Sequence, residues 1–379
     1  MSILRIVRRA LGCVFDWAAH VLDLRLLFPL LTSRGKKPRI LFGVHAFHPH
    51  VGGCEKQVQW MADALRRVGY ECFVYAPRRW KEPRTVDGIP VVNSFWIARY
   101  CDVIFTYSAN TVQQRLVEYA RTLRVRPALL HFPCSMYPVG KELTLYADRV
   151  IAKTPKDIWI TETVCGSTAK ARALVHAAHE SRRGKSGRFR AKYGIDGPFI
   201  LWVGGWLPAK GVKSLCNRFI ELRKRNQGRP VKLLMFGGYG ESEFPLVHPD
   251  VVRFDKNSED VPDALADCTF LAFNSPPAPI GYDANPTIFY EAFLNGKTFL
   301  AQAGTPILET ISHLGLVVDT DAEWVTSAES LLFLENRRSQ LEKVCTEAYD
   351  QQFNYSNMMR QVQDVIEEVN PRGMHGSQY

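Results

Sequence analysis

Along the chain, short apolar runs alternate with longer stretches of helical period. Arg39 to Val44 is an apolar run of strand length, and Glu55 to Val68 repeats Val58, Met61, Ala62, Leu65 and Val68 at helical spacing. Gly69 stops that helix and Cys72 to Ala76 predicts a second strand, so residues 38–76 read as a βαβ unit. Further strands are predicted at 91–92, 103–105, 128–131 and 147–152, with helices over 112–123 and 154–166. The pattern restarts at Pro198 to Gly204, continues through a helix over 214–226 and a strand at 231–238, and adds strands at 267–272, 297–301 and 316–318. Strands alternating with helices predict an α/β protein built on two parallel, doubly wound sheets.

Between the two series lies Glu180 to Lys192, basic, glycine-containing and poor in apolar residues, which reads as an interdomain linker. Asp319-Thr320-Asp321 resembles a metal-binding D-x-D, but its place just after a strand favours a capping turn. The tail from Asn336 to Val369 reads as helical with a break near 354–357, and residues 371–379 as a flexible end.

Residues 3–24 suit an amphipathic helix, with Val7, Leu11, Val14, Ala18 and Val21 on one face and Arg5, Arg8, Arg9, Asp16 and Asp23 opposite. Two readings stand side by side: a helix lying on an anionic membrane surface, or one docked on its own domain. The basic residues Arg25, Arg34, Lys36 and Lys37 beside an apolar Leu26 to Phe28 favour the membrane. The expected organisation is then residues 1–37 as this helix, 38–185 and 186–350 as two Rossmann-like domains, and 351–370 as a helix returning to the first.

The length of 379 residues suits two domains rather than one core. A hydrophobic share of 46% and a charged share of 23% exclude disorder and a membrane-embedded class. A net charge of +10 points to anionic partners such as phosphorylated substrates, acidic lipid or nucleic acid. Nucleic acid is disfavoured, because only Phe189 interleaves the basic stretch. Nine cysteines without a C-x-x-C pair speak against a zinc site or a disulfide framework, and a reducing cytosol fits best. No run reaches the ~18 apolar residues that a spanning helix needs.

The chemistry gathers at strand ends. Between Asp283 and Glu291, Asn285 offers an N-cap oxygen and Pro286 a pre-set first helical φ, so a helix with Thr287 in its first turn is expected there. Asp283 then sits outside the helix and Glu291 about one and a half turns inside it, flanking amides that favour an anion. The plain alternative is a capped surface helix carrying two solvated acids. Gly52 and Gly53 lie at a helix start after the first strand, where a backbone can approach a ligand closely, but they do not form the G-x-G-x-x-G of a nicotinamide enzyme. Gly204, Gly205 and Lys210 occupy the equivalent loop of the second series, and His131 stands at a strand end.

Together these motifs resemble the retaining glycosyltransferases of the GT-B fold, and glycosyltransferase family 4 in particular. Ile40 to Phe42 with Pro49 to Glu55 resembles that family's N-terminal glycine loop, Ala147 to Ala152 its strand before the linker, Val203 to Gly211 its phosphate loop, and Asp283 to Glu291 followed by Ala292 to Gly296 its E-x7-E motif. The resemblance implies two Rossmann-like domains facing across a cleft and a nucleotide-sugar donor used without a metal or other cofactor. It assigns ribose hydroxyls to Glu291, the transferred sugar to Asp283, the departing diphosphate to Lys210 and the Gly53 amide, and the region of the sugar's C6 hydroxyl to His131. It implies an acceptor that is a glycan or a lipid-linked glycan, and a cytoplasmic protein on the inner face of a membrane. Retention implies same-face attack, with a donor phosphate oxygen taking the acceptor's proton and no protein nucleophile. Two positions depart from the family: Gly205 stands where arginine is usual, and Asp283 where glutamate is usual. A binding-only relative and another nucleotide-sugar enzyme, such as an epimerase, are the alternative readings.

Overall fold

A computed structural model describes residues 37–47, 52–76, 85–107, 111–133, 138–237, 248–255, 259–275 and 285–370. The N-terminal amphipathic stretch and Asp283 lie outside these residues. The chain forms two compact units, one of residues 1–151, 160–172 and 362–379, the other of residues 152–159 and 173–361.

In the first unit the elements run β1 (Arg39–Gly43), α1 (Gly53–Arg67), β2 (Glu71–Tyr75), β3 (Thr85–Val86), β4 (Ile89–Val92), β5 (Val103–Tyr107), α2 (Thr111–Thr122), β6 (Ala128–Phe132), α3 (Pro138–Tyr146), β7 (Arg149–Ala152), the end of α4 (Pro155–Cys165), whose start up to Trp159 belongs to the second unit, and β8 (Ala171–Ala173). They build an eight-stranded sheet in the order β3-β4-β2-β1-β5-β6-β7-β8. Strands β4 to β7 pair in parallel and β3 adds an antiparallel edge. The unbroken apolar run of β1 is buried at every position, as expected of a central strand covered on both faces.

The second unit contains α5 (Arg188–Tyr193), β9 (Phe199–Gly204), α6 (Val212–Arg225), β10 (Lys232–Gly237), β11 (Val251–Asp255), α7 (Val261–Asp267), β12 (Phe270–Phe273), α8 (Thr287–Leu294), β13 (Phe299–Gln302), α9 (Leu308–Ile311), β14 (Gly315–Val318), α10 (Asp321–Phe333) and α11 (Glu335–Ala348), with α12 (Tyr355–Val369) as far as Gln361. Six parallel strands follow the order β11-β10-β9-β12-β13-β14. Successive side chains point to opposite faces. Phe199, Leu201, Leu234, Phe236, Leu271 and Phe299 therefore enter one core cluster, while Ile200, Trp202, Leu233, Met235, Phe270 and Leu300 enter another. The chain winds outward from β9 in one direction and from β12 in the other, so the sheet has its switch point between these two neighbours.

The stretch read as a linker is folded structure within the second unit. Phe189 is 1% exposed and packs on Phe199 and Phe236. The basic residues meet acids on and beside α7: Lys192 pairs with Asp260 at 2.7 Å, Arg188 with Asp263 at 3.4 Å, and the Arg190 amide donates to Asp267 at 3.0 Å. Gly184 passes so close to α7 that a Cβ there would overlap the Pro262 carbonyl. The last turns of α12 belong to the first unit, where Glu368 pairs with Arg149 and Arg172. Those two guanidinium groups hold the Glu368 carboxyl down at about 2. Thr320 caps α10 in a reciprocal box with Glu323, so Asp319-Thr320-Asp321 is the expected capping turn. Among the described residues no helix is long and apolar enough to cross a membrane.

Replacing Gly184 by alanine should lower stability by about 1–3 kcal/mol, because the α7 backbone must yield to the methyl. The urea-unfolding midpoint measures it, and an unchanged midpoint would show that the close approach is not constraining.

Candidate functional site

Lys210 closes a single 3-10 turn, Pro208–Lys210, between β9 and α6. The turn is held by the Lys210 amide on the Leu207 carbonyl at 2.9 Å and the Gly211 amide on the Pro208 carbonyl at 2.9 Å. Gly211 adopts φ 61°, and a Cβ there would overlap the Asn274 carbonyl, so both conformation and space require glycine. Gly204 ends β9, and Gly205 is buried. Trp206 beside it is 4% exposed and lies against Trp202 and Gly237, while the Arg253 guanidinium rests 4.3 Å from its ring centre. An arginine from β11 thus rests on the aromatic ring that follows Gly205.

Asn274 continues directly from β12, beside β9, and its side-chain amide donates to the Gly211 carbonyl at 2.7 Å. The loops after β9 and β12 are therefore joined at the switch point, where ligands of such sheets bind. Helix α8 begins one residue later than expected. Pro286 is its N-cap, with ψ 127° and no side-chain cap bond, and Thr287 is its first residue. Asn285 stands one place too early to reach the first free amides, so its expected capping role is corrected. Both polar atoms of its amide are shielded from solvent, with the Tyr290 hydroxyl nearby.

Glu291 is 4% exposed and Arg182 9%. Its Oε2 accepts from Arg182 Nε at 2.9 Å and Nη2 at 2.7 Å. The carboxylate at the end of the E-x7-E pattern thus has a buried partner that the basic stretch supplies.

Beneath α8, His176 is buried, with Nε2 3.4 Å from Thr287 Oγ1 and its ring edge-on to Tyr290 at 4.9 Å. Burial, helped by nearby Lys153, holds its imidazole well below the usual range. Burial pushes the Asp157 carboxyl up, against the pull of Lys153 and of the Lys153 and Thr154 amides that donate to it.

In the first unit Gly52 is the N-cap of α1 and Gly53 its first residue, as expected. His131 is the penultimate residue of β6, fully buried, with Nδ1 2.9 Å from Thr106 Oγ1. Among the described residues no three His, Cys, Asp or Glu side chains converge as a metal site would require. Asn274, Arg182, His176 and Arg218 escaped the sequence reading. Arg218 carried a visible signal, since it falls on the apolar stripe of α6 with Leu215, Phe219 and Leu222.

No family model and no curated protein matches the chain. Solved structures do. The chain resembles Anabaena HepE crystallised with UDP-glucose at TM-score 0.72 and 16% identity, over 88% of this chain and 100% of that one. It resembles sucrose-phosphate synthase from Thermosynechococcus elongatus at 0.74 and 14%, over 89% and 100%. It resembles WaaG, a glycosyltransferase involved in lipopolysaccharide biosynthesis, at 0.65 and 14%, over 87% and 99%. With its two doubly wound sheets, the chain has the GT-B fold.

Two outcomes are expected. Glu291→Ala should lower stability by about 3–5 kcal/mol by removing the carboxylate from a buried ion pair with Arg182, a loss read by urea unfolding. A loss within about 0.5 kcal/mol, typical of an unimportant surface change, would contradict that pairing. The second concerns pH. The folded-state pKa of His176 is lowered, so below about 6.5 the unfolded chain binds the extra proton and the folded one does not. This contribution to stability is complete above that pH and falls by about 1.4 kcal/mol per unit as pH drops towards the folded pKa. Unfolding free energies from about pH 7.5 to 5.5 should show this slope. In His176→Gln it should be absent, and an identical slope in both chains would refute the assignment.

Proposed function

We propose that this protein is a glycosyltransferase, resembling family 4, that moves a sugar from a nucleotide-sugar donor to a glycan or lipid-linked acceptor with retention and without a metal ion. The observation that carries this reading is the junction of the Lys210 loop with the end of β12 across the β9/β12 switch point. That junction puts a lysine and the first turn of α6 at the switch point. Breaking a glycosyl phosphate leaves negative charge on the diphosphate, and a cation with helix N-termini can meet it. The likeness to HepE with UDP-glucose supports a nucleotide-sugar donor, and the likeness to WaaG supports a glycolipid or surface polysaccharide as the product. Lys210 then neutralises the diphosphate, Glu291 and Asp283 hold ribose and sugar, and the amides of Thr287 and neighbouring residues complete the donor contacts. A donor phosphate oxygen takes the acceptor's proton.

Transfer or hydrolysis should be assayed over a panel of UDP-, GDP- and ADP-sugars. Lys210→Ala should reduce turnover roughly 10- to 100-fold, the value of a charged hydrogen bond. Glu291→Gln, which keeps the side chain's volume, should also reduce it, and chelation with EDTA should leave it unchanged. Equal rates in wild type and both variants would remove the site. The anionic membrane is the second partner proposed, on the strength of the basic charge and residues 1–37. Deleting residues 1–36 should release the protein from vesicles containing phosphatidylglycerol, and unchanged partitioning would refute it.

A further inference from the structure

Arg218 is 4% exposed on the core-facing side of α6, where an unpaired charge would be costly. Its Nε donates to Asp321 Oδ1 at 2.7 Å, its Nη2 reaches the same oxygen at 2.6 Å and Gln302 Oε1 at 3.3 Å, and its Nη1 donates to Asn274 Oδ1. Asn274 is 1% exposed, and its Nδ2 donates to the Gly211 carbonyl. An arginine has donors and no acceptor, so the amide oxygen of Asn274 must face Arg218. Its NH2 group is thereby turned on Gly211, the residue next to Lys210. The same carbonyl accepts the Leu215 amide at 3.0 Å, which begins the hydrogen bonding of α6.

We propose that Arg218 and Asn274 are positioning residues that fix Lys210 and the N-terminus of α6 against the end of β12. This role rests on the donor reading for what the loop binds. Arg218 orients the amide of Asn274, and Asn274 pins the turn that presents Lys210. Asn274 directly follows β12, so one side chain sets the Lys210 turn against the neighbouring strand. A buried group that merely stabilised the unit would affect every ligand alike and independently of Lys210. A positioning pair acts through Lys210, and hence on the diphosphate.

The test is Asn274→Asp, which keeps an acceptor for Arg218 and places an acceptor, not a donor, against the Gly211 carbonyl. Without ligand, amide hydrogen exchange across residues 205–213 should rise roughly tenfold, the effect of one lost hydrogen bond. UDP, GDP and ADP are then titrated by calorimetry against wild type, Asn274→Asp, Lys210→Ala and the double variant. The diphosphate that binds wild type should lose roughly tenfold in affinity on Asn274→Asp and lose nothing further in the Lys210→Ala background. The matching nucleoside should bind both chains equally. Unchanged exchange, or the same loss in both backgrounds, overturns the proposal. Faster exchange with no diphosphate bound by wild type overturns the donor reading and the positioning role together, leaving only a stabilising contact. If Asn274→Asp does not fold, Arg218→Lys is measured in the same way, with the same outcomes deciding.

Discussion

Both faces of the six-stranded sheet are covered by apolar clusters, and that constraint governs what else the second unit can hold. A charge that enters such a layer must bring partners with it. Arg182 arrives with Glu291, and Arg218 with Asp321, Asn274 and Gln302. Polar groups not committed to pairing are left to the strand ends. The winding order then chooses among those ends. Loops leaving β9 and β12 diverge in opposite directions from adjacent strands, and the gap between them is where polar side chains can converge without disturbing the layers.

The same logic sorts what was legible in the sequence. Strands of the second sheet were visible because burial on both faces demands uninterrupted apolar runs, and Phe199 to Val203 or Leu233 to Phe236 have few other uses. Strand β11 was missed because Val251-Val252-Arg253-Phe254-Asp255 lies at the sheet edge, where polar residues interrupt the run. The glycine-containing turns before α1 and α6 were visible because turn chemistry is local. The start of α8 was misplaced by one residue because Asn285 and Pro286 satisfy a capping rule in either register, and only the extended ψ of Pro286 decides between them.

What could not be read locally was pairing across long stretches of chain. Residues 180–192 look like a solvated linker because their basic groups have few acids nearby in sequence. Their partners at Asp260, Asp263 and Asp267 lie 68 to 80 residues away. Each of the more exposed ion pairs among them is worth little alone. The acids are spaced so that one face of α7 meets α5 and the preceding turn, and Phe189 is thereby seated in the core. A basic stretch with an aromatic at its centre is therefore poor evidence for a linker when an acidic face of matching spacing exists elsewhere in the same chain.

Glu291 brings the motif and the packing together. The resemblance gives it ribose hydroxyls, whereas the structure gives it Arg182, and the two assignments are compatible on acceptor geometry. A carboxylate offers roughly four lone-pair directions over two oxygens. Arg182 directs Nε and Nη2 to Oε2, so the pairing anchors that oxygen without exhausting the acceptor capacity of the carboxylate. A ligand-holding carboxylate benefits from such a clamp, since a side chain already ordered loses less entropy on binding. The stretch that looked like a tether between domains is then what holds the carboxylate of Glu291, and the loop that carries Lys210 is tied through Asn274 to a second buried arginine.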